Sequence, residues 1–245
     1  MSLPSAQTLL RVWEEHHRAH PIRRALALLD AAWPDVGADA WTAAPVGVRD
    51  ACLLLLYEHL FGGELQTVAH CPRCDERLES SFNAADIRAQ PPALPTLHAP
   101  LQLHEREYAI EFRLPNSDDL LSLAERGADA TRLDLLNRCI DGARRKGKRV
   151  EVRRLPDEIV DRLAAEMAQH DPCADVRMAL VCPACRHAWS IVFDIISYFW
   201  GELEDWAQRV LADVHQLAVA YHWSEHDILG LSPTRRRLYL DMVQA

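Results

Sequence analysis

Apolar positions recur along this chain at two spacings, and each spacing predicts its own kind of element. Leu9, Leu10 and Trp13 open a stripe at helical spacing, and Ala25, Leu26, Leu28 and Leu29 continue it in a second helix with Pro21 in its first turn. After a loop at 34–37, Pro45 starts a third helix carrying Val48, Cys52, Leu53, Leu55, Leu56 and Leu60, which Gly62 and Gly63 end. That helix is apolar around much of its circumference, so it belongs at the centre of a core. Pro91, Pro92 and Pro95 mark a connector. Beyond it Tyr108, Ile110, Phe112 and Leu114 alternate with Ala109, Glu111 and Arg113, the pattern of a strand with one buried face. Residues 115–119 stop that strand and cap a helix, with Asp118 and Asp119 at its positive end. Leu133, Leu136, Cys139 and Ile140 form a further helical stripe, and Pro156 opens a helix with Ile159, Val160, Leu163 and Met167. Near the end, Ile196, Phe199, Trp200, Leu203, Trp206, Val210, Val214 and Leu217 repeat at i+3/i+4 over about six turns. Ser224 and Asp227 then have capping-box spacing, and a final helix starts at Ser232 and Pro233 and runs through Arg235, Arg236 and Arg237 to Met242.

Two stretches break the periodicity and resemble each other. Cys71, Pro72, Arg73 and Cys74 form one tight turn; Cys182, Pro183, Ala184 and Cys185 form another, 111 positions later. The same offset carries Leu78 onto Trp189, Phe82 onto Phe193 and Asn83 onto Asp194. Leu65, Thr67 and Ala69 alternate before the first turn, and Val176, Met178 and Leu180 before the second, so each turn is expected at the tip of a hairpin. Four thiolates from two such knuckles satisfy a tetrahedral zinc ion, as in a zinc ribbon, and close its coordination sphere. Cys71, Cys74, Cys182 and Cys185 are therefore the expected ligands of a structural Zn2+. The competing readings are unrelated buried cysteine turns or disulfides; neither turn lies in a β-α-β context that would suit redox chemistry. His70 and His187 flank the knuckles as substitute ligands or supports, with ordinary hairpin positions the simpler reading.

Composition narrows the function. The chain has 245 residues, 49% hydrophobic and 26% charged, and a formal net charge of -9. These are values of an ordinary globular protein, and the acidic balance argues against a general nucleic-acid binder. Cys52, Cys139 and Cys173 are scattered, a usage that suits a reducing cytoplasm. No run approaches the ~18 apolar residues of a membrane span, so a membrane partner is not expected. There is no P-loop, no G-x-G-x-x-G, no G-x-S-x-G and no H-E-x-x-H, and no carboxylates are paired in a context expected to hold a shifted pKa. The expectation is a protein without enzymatic activity. His16 and His20 have the i, i+4 spacing of metal ligands but sit beside Glu14 and Glu15, and read as a solvated face. Seven basic residues between Arg144 and Arg154 suit either a phosphate-binding patch or a solvated hairpin, the second being the base-rate reading.

Three segments carry a family resemblance. One is Arg49, Asp50, Ala51, Cys52 and the leucines that follow, with Phe61, Gly62 and the first knuckle. Another runs from Cys182 through Trp189, Phe193 and Asp194 to Phe199 and Trp200. The last joins Leu217, Tyr221, His222, Trp223, Ser224 and Glu225 to Ile228, Leu229 and Leu231, then Arg235, Arg236, Arg237 and Tyr239. Together they resemble the baseplate-associated proteins of contractile phage tails and phage-tail-like injection systems, including the baseplate hub proteins of T4-like phages. The resemblance implies a non-enzymatic structural or assembly protein whose partners are other baseplate, spike or tail-tube proteins. It also implies a protein that is cytoplasmic or incorporated into a phage-tail-like particle. A zinc-ribbon regulator or nucleic-acid-binding module is the alternative, and a metal-dependent hydrolase a third reading. The expected fold is α+β and mainly helical. It has an N-terminal helical region at 1–63, zinc-ribbon halves at 64–90 and 174–194, an inserted strand and helix region at 96–173, and a C-terminal helical lobe at 195–245. Trp200, Trp206, Trp223, Arg235, Arg236 and Arg237 are candidate partner contacts, although for the aromatic helix a place in the core is the simpler reading.

Overall fold

The computed structural model describes residues 1–88 and 100–244. The proline connector at 91–95 lies outside them. In chain order the elements are α1 (Ala6–His16), α2 (Pro21–Ala32), α3 (Ala38–Ala43), α4 (Val46–Phe61), β1 (Glu64–His70), β2 (Arg77–Asn83) and α5 (Ala84–Arg88). Then come β3 (Leu101–Glu105), β4 (Tyr108–Phe112), α6 (Ser117–Arg126), α7 (Arg132–Cys139), β5 (Ile140–Arg145), β6 (Lys148–Arg149) and α8 (Asp157–His170). The chain finishes with β7 (Arg177–Val181), β8 (Ala188–Val192), α9 (Ile195–Tyr221), α10 (Glu225–Leu229) and α11 (Pro233–Gln244). The fold is mainly α with small antiparallel sheets, as expected.

The chain forms two compact units, one of residues Met1–Pro34 with Ile195–Ala245 and the other of Asp35–Asp194. Thus α3 and α4, grouped with the N-terminal helices by sequence order, belong to the second unit. In the first unit Leu10 of α1 joins Ala207, Val210, Val214 and Leu217 of α9, with Ile228, Leu229 and Leu240 from the last two helices. The aromatic stripe of α9 is therefore largely core. The turns are capped locally: Ser5 Oγ accepts from the amide of Thr8 at 3.1 Å, and Ser224 Oγ from that of Asp227 at 3.2 Å. His20 caps α2, its Nδ1 accepting from Ile22 N at 3.3 Å, while His16 Nδ1 donates to the carbonyl of Val12 at 3.1 Å. Each histidine thus engages local backbone through its Nδ1.

In the second unit the four-stranded sheet has order β3-β4-β5-β6, antiparallel throughout. Its inner face, Leu103, Tyr108, Ile110, Phe112 and Ala143, packs with Leu136 and Cys139 of α7 and Ile159, Val160, Leu163 and Met167 of α8. The stripe expected over 133–140 divides here. Cys139 ends α7, Ile140 begins β5 opposite Phe112, and Leu133 is exposed. The short helix α3 lies between the loop expected at 34–37 and Pro45, where no element is expected, because six residues are too few for a periodic signal.

The α4 helix is central, with Ala51, Cys52, Leu53, Leu54, Leu56 and Tyr57 all buried. Its N-cap is Pro45, which has no side-chain oxygen to offer its first amides. Asp171 supplies one from 124 residues away: the amide of Gly47 donates to its Oδ2 at 2.9 Å. A Cβ at position 47 would lie 2.0 Å from Asp171 Oδ1 and 2.8 Å from the backbone nitrogen of Ala174. Gly47→Ala is therefore predicted to lose both fit and cap, about 2–3 kcal/mol in all. Thermal denaturation should register this as a drop of roughly 5–10 °C for a chain of this size.

Candidate metal centre

Each cysteine turn sits at the tip of a hairpin, as expected. β1 pairs with β2 from Glu64↔Asn83 to His70↔Arg77, and β7 with β8 from Arg177↔Val192 to Val181↔Ala188. The two tips are built alike. In the first, the amide of Cys71 donates to the carbonyl of Glu76 at 2.9 Å and that of Asp75 to the carbonyl of Cys71 at 2.9 Å. In the second, Cys182 donates to His187 at 2.9 Å and Arg186 to Cys182 at 3.0 Å. The residue after the second cysteine takes a left-handed backbone in both, with φ of 62° at Asp75 and 61° at Arg186. Each hairpin then runs directly into a helix, α5 at Ala84 and α9 at Ile195. The sequence repeat at an offset of 111 is thus a repeat of structure.

The repeats meet about an approximate twofold axis. Cys71 Sγ lies 3.7 Å from Cys185 Sγ, and Cys74 Sγ 3.6 Å from Cys182 Sγ. The offset exchanges these two pairs, as symmetry requires. It also exchanges Phe82 and Phe193, whose rings touch edge to face at 5.3 Å between centroids. All four sulfurs lie within 4.8 Å of one another. Zinc–sulfur bonds of about 2.3 Å in a tetrahedron give sulfur–sulfur edges of about 3.8 Å, so the donor set fits that ion. The separations far exceed the ~2.05 Å of a disulfide, and all seven cysteines are free.

Burial grades the ligands, with Cys71 and Cys182 inside, Cys185 half-exposed and Cys74 exposed. Burial opposes ionisation of Cys71. The amides of Arg73 and Cys74 and the sulfurs of Cys74 and Cys185 outweigh it, and bring the thiol down to about 7. At Cys74 the amide of Glu76 favours the thiolate, but the sulfurs of Cys185, Cys182 and Cys71 together with burial push it up to about 12. Four sulfurs this close cannot all carry negative charge unless a cation lies among them. Metal binding supplies that charge and expels the protons. The cluster consists of sulfur alone: His70 is exposed beside Asp75, and His187 stacks on Trp189 at 5.9 Å.

The left-handed residues set a further expectation. An L side chain at φ near 60° costs roughly 1–2 kcal/mol, and glycine returns part of that as unfolded-state entropy. Arg186→Gly should therefore leave metal content unchanged and raise the melting temperature by about 1–2 °C.

One charged centre escaped the sequence. Asp119 is fully buried and accepts from Arg113 Nη1 at 2.5 Å, Arg113 Nη2 at 2.9 Å, Arg138 Nε at 2.8 Å and the amide of Asn116 at 3.1 Å. Burial raises the energy of its charged form, but these donors prevail and hold its carboxyl below the usual range. This corrects the expectation that no paired carboxylate holds a shifted pKa. The role is structural, since donors occupy both oxygens. Asn116 and Asp119 form a capping box whose spacing is legible. The two arginines, from the end of β4 and from α7, are not.

The expected partner contacts differ in exposure. Trp200 is buried, with the Arg24 guanidinium 4.7 Å from its ring centroid, and Arg236 is buried with Nε 3.2 Å from Asp213 Oδ2. Trp206 and Trp223 are half-buried, Trp223 within a ring cluster with Tyr221 and Tyr239, whereas Arg235 and Arg237 are exposed. The basic segment 143–154 holds the end of β5, its turn and β6, the hairpin that is one of the expected readings. Among the described residues, no helix is long and apolar enough to cross a membrane.

A family model described as T4 bacteriophage base plate protein matches residues 27–200, more than two thirds of the chain. Comparison with curated proteins and with solved structures gave no match.

Proposed function

The chain belongs to the T4 bacteriophage base plate protein family, and on that premise we propose that it is a non-enzymatic structural or assembly component of a contractile tail or injection-system baseplate, held together by a structural zinc. The carrying observation is the cluster of four sulfurs within the matched residues, which draws Cys74 to Cys182 across 108 positions. A metal bound by four thiolates has no coordination position left for water or substrate, so its contribution is to hold shape. A scaffold component needs that property, since its binding faces must keep their geometry under load.

Its partners in this reading are other baseplate, spike or tail-tube proteins. Trp206, Trp223, Arg235 and Arg237 are the proposed contacts, and all four lie outside the matched residues. The test is recovery of the tagged full chain from its native host, with mass spectrometry of what accompanies it. Tail-tube, spike or baseplate wedge proteins are expected. Co-purification with nucleic acid, lost steeply as salt rises, would instead support the regulator.

A further inference from the structure

Alternation along the β3–β6 sheet sends Gln102, His104, Ala109, Glu111, Arg144 and Arg149 to the face opposite the core. The register shifts between Glu111, which pairs with Gly142, and Phe112, which pairs with Ile140; the bulge leaves Asp141 unpaired at the rim of this face. Ala109 and Gly142 form a low floor, and the longer side chains around it border an open hollow of about 370 Å³. Arg144 and Arg149 stand opposite each other in the register. Like charges directly across two strands are unfavourable. Elsewhere in the basic segment Arg145 and Lys146 share Glu107 and Arg153 and Arg154 share Glu151, while Lys148 has no carboxylate partner among the described residues. Among the described residues, the guanidiniums of Arg144 and Arg149 have no carboxylate partner. The fold thus keeps two unneutralised arginines over an open, small-floored hollow, an arrangement that folding alone does not call for.

We propose that this face is a docking seat for an acidic segment of another protein, with Arg144 and Arg149 receiving its carboxylates. Guanidinium forks match carboxylates in pairs of hydrogen bonds. A nucleic acid is the poorer occupant. Glu111 and Asp141 border the same hollow, no Phe, Tyr or Trp lines it for stacking, and the chain carries a net charge of -9. An acidic peptide can give its carboxylates to the two arginines and turn backbone N–H donors toward Glu111 and Asp141, which a phosphodiester strand cannot do. This seat is independent of the metal and of the baseplate reading, so either can fail without the other.

The test is calorimetric titration of the full chain at low ionic strength with a hexaglutamate peptide and, separately, a single-stranded oligonucleotide of equal charge. The peptide is expected to bind, and Arg144→Gln with Arg149→Gln to weaken it at least about tenfold, the loss of one to two charge-assisted contacts. Arg153→Gln with Arg154→Gln, which share Glu151 and do not line the hollow, should change affinity less than twofold. Because the like-charge pair is relieved, the Arg144/Arg149 variant should melt no lower than the parent protein. Peptide binding that survives that variant, an oligonucleotide bound more tightly than the peptide, or a lower melting temperature for the variant would each overturn the proposal.

Discussion

Cys182→Ser should empty the metal centre and lower the melting temperature by about 10 °C or more. Structural zinc contributes about 10–16 kcal/mol to the folding of small finger peptides. The unit of residues 35–194 also has an apolar core of its own, so only part of that is expected to appear here. A loss of about 4 kcal/mol, at roughly 2–4 °C per kcal/mol for a chain of this size, gives the figure quoted. Cys71→Ser should match it, because its sulfur is likewise buried and one of the four. Cys74→Ser should release the metal as completely, since its sulfur, though exposed, is one of the four. Cys173→Ala, outside the cluster, should leave metal content untouched. Scanning calorimetry with metal analysis on the same samples checks all four.

The second large effect is at Asp119. Asp119→Asn would leave Arg113 and Arg138 facing a neutral amide. Removing one partner of a buried ion pair costs about 3–5 kcal/mol. Both arginines are more than a third exposed, so water compensates them and about 2–3 kcal/mol is the expected loss. The pH dependence follows from the direction of the shift. The folded carboxyl titrates below its unfolded value of about 3.9, so its stabilisation is complete above that pH and fades as pH falls through the lower folded value. Melting curves of the parent and Asp119→Asn proteins should be furthest apart near neutrality and converge below about pH 4. A gap that stays constant down to pH 3 would show that the charge on Asp119 carries no stability.

These two centres differ in how far the sequence discloses them. The knuckles are local: a C-P-x-C turn needs only neighbouring residues, and alternation at Leu65, Thr67 and Ala69 marks the hairpin beneath. Comparing the two turns also gave the offset that the structure repeats in its backbone bonds, its left-handed residues and its Phe82–Phe193 contact. Asp119 is only half legible, since its capping partner is three residues away but Arg138 is nineteen. Asp171 reaching Gly47 leaves no local trace at all. Nor does periodicity show that α1 and α2 join α9 in one unit while α4 joins another, because every one of these helices carries an apolar stripe. Ile140 shows the opposite limit, where helical spacing continues by one residue into a strand that tertiary pairing with Phe112 dictates.

The most direct measurement is the zinc-to-protein ratio of the full chain, purified without added metal or chelator. One zinc per chain is expected, falling to none in Cys182→Ser. A parent protein free of any transition metal, or a variant that retains its zinc, would contradict the tetrathiolate clasp.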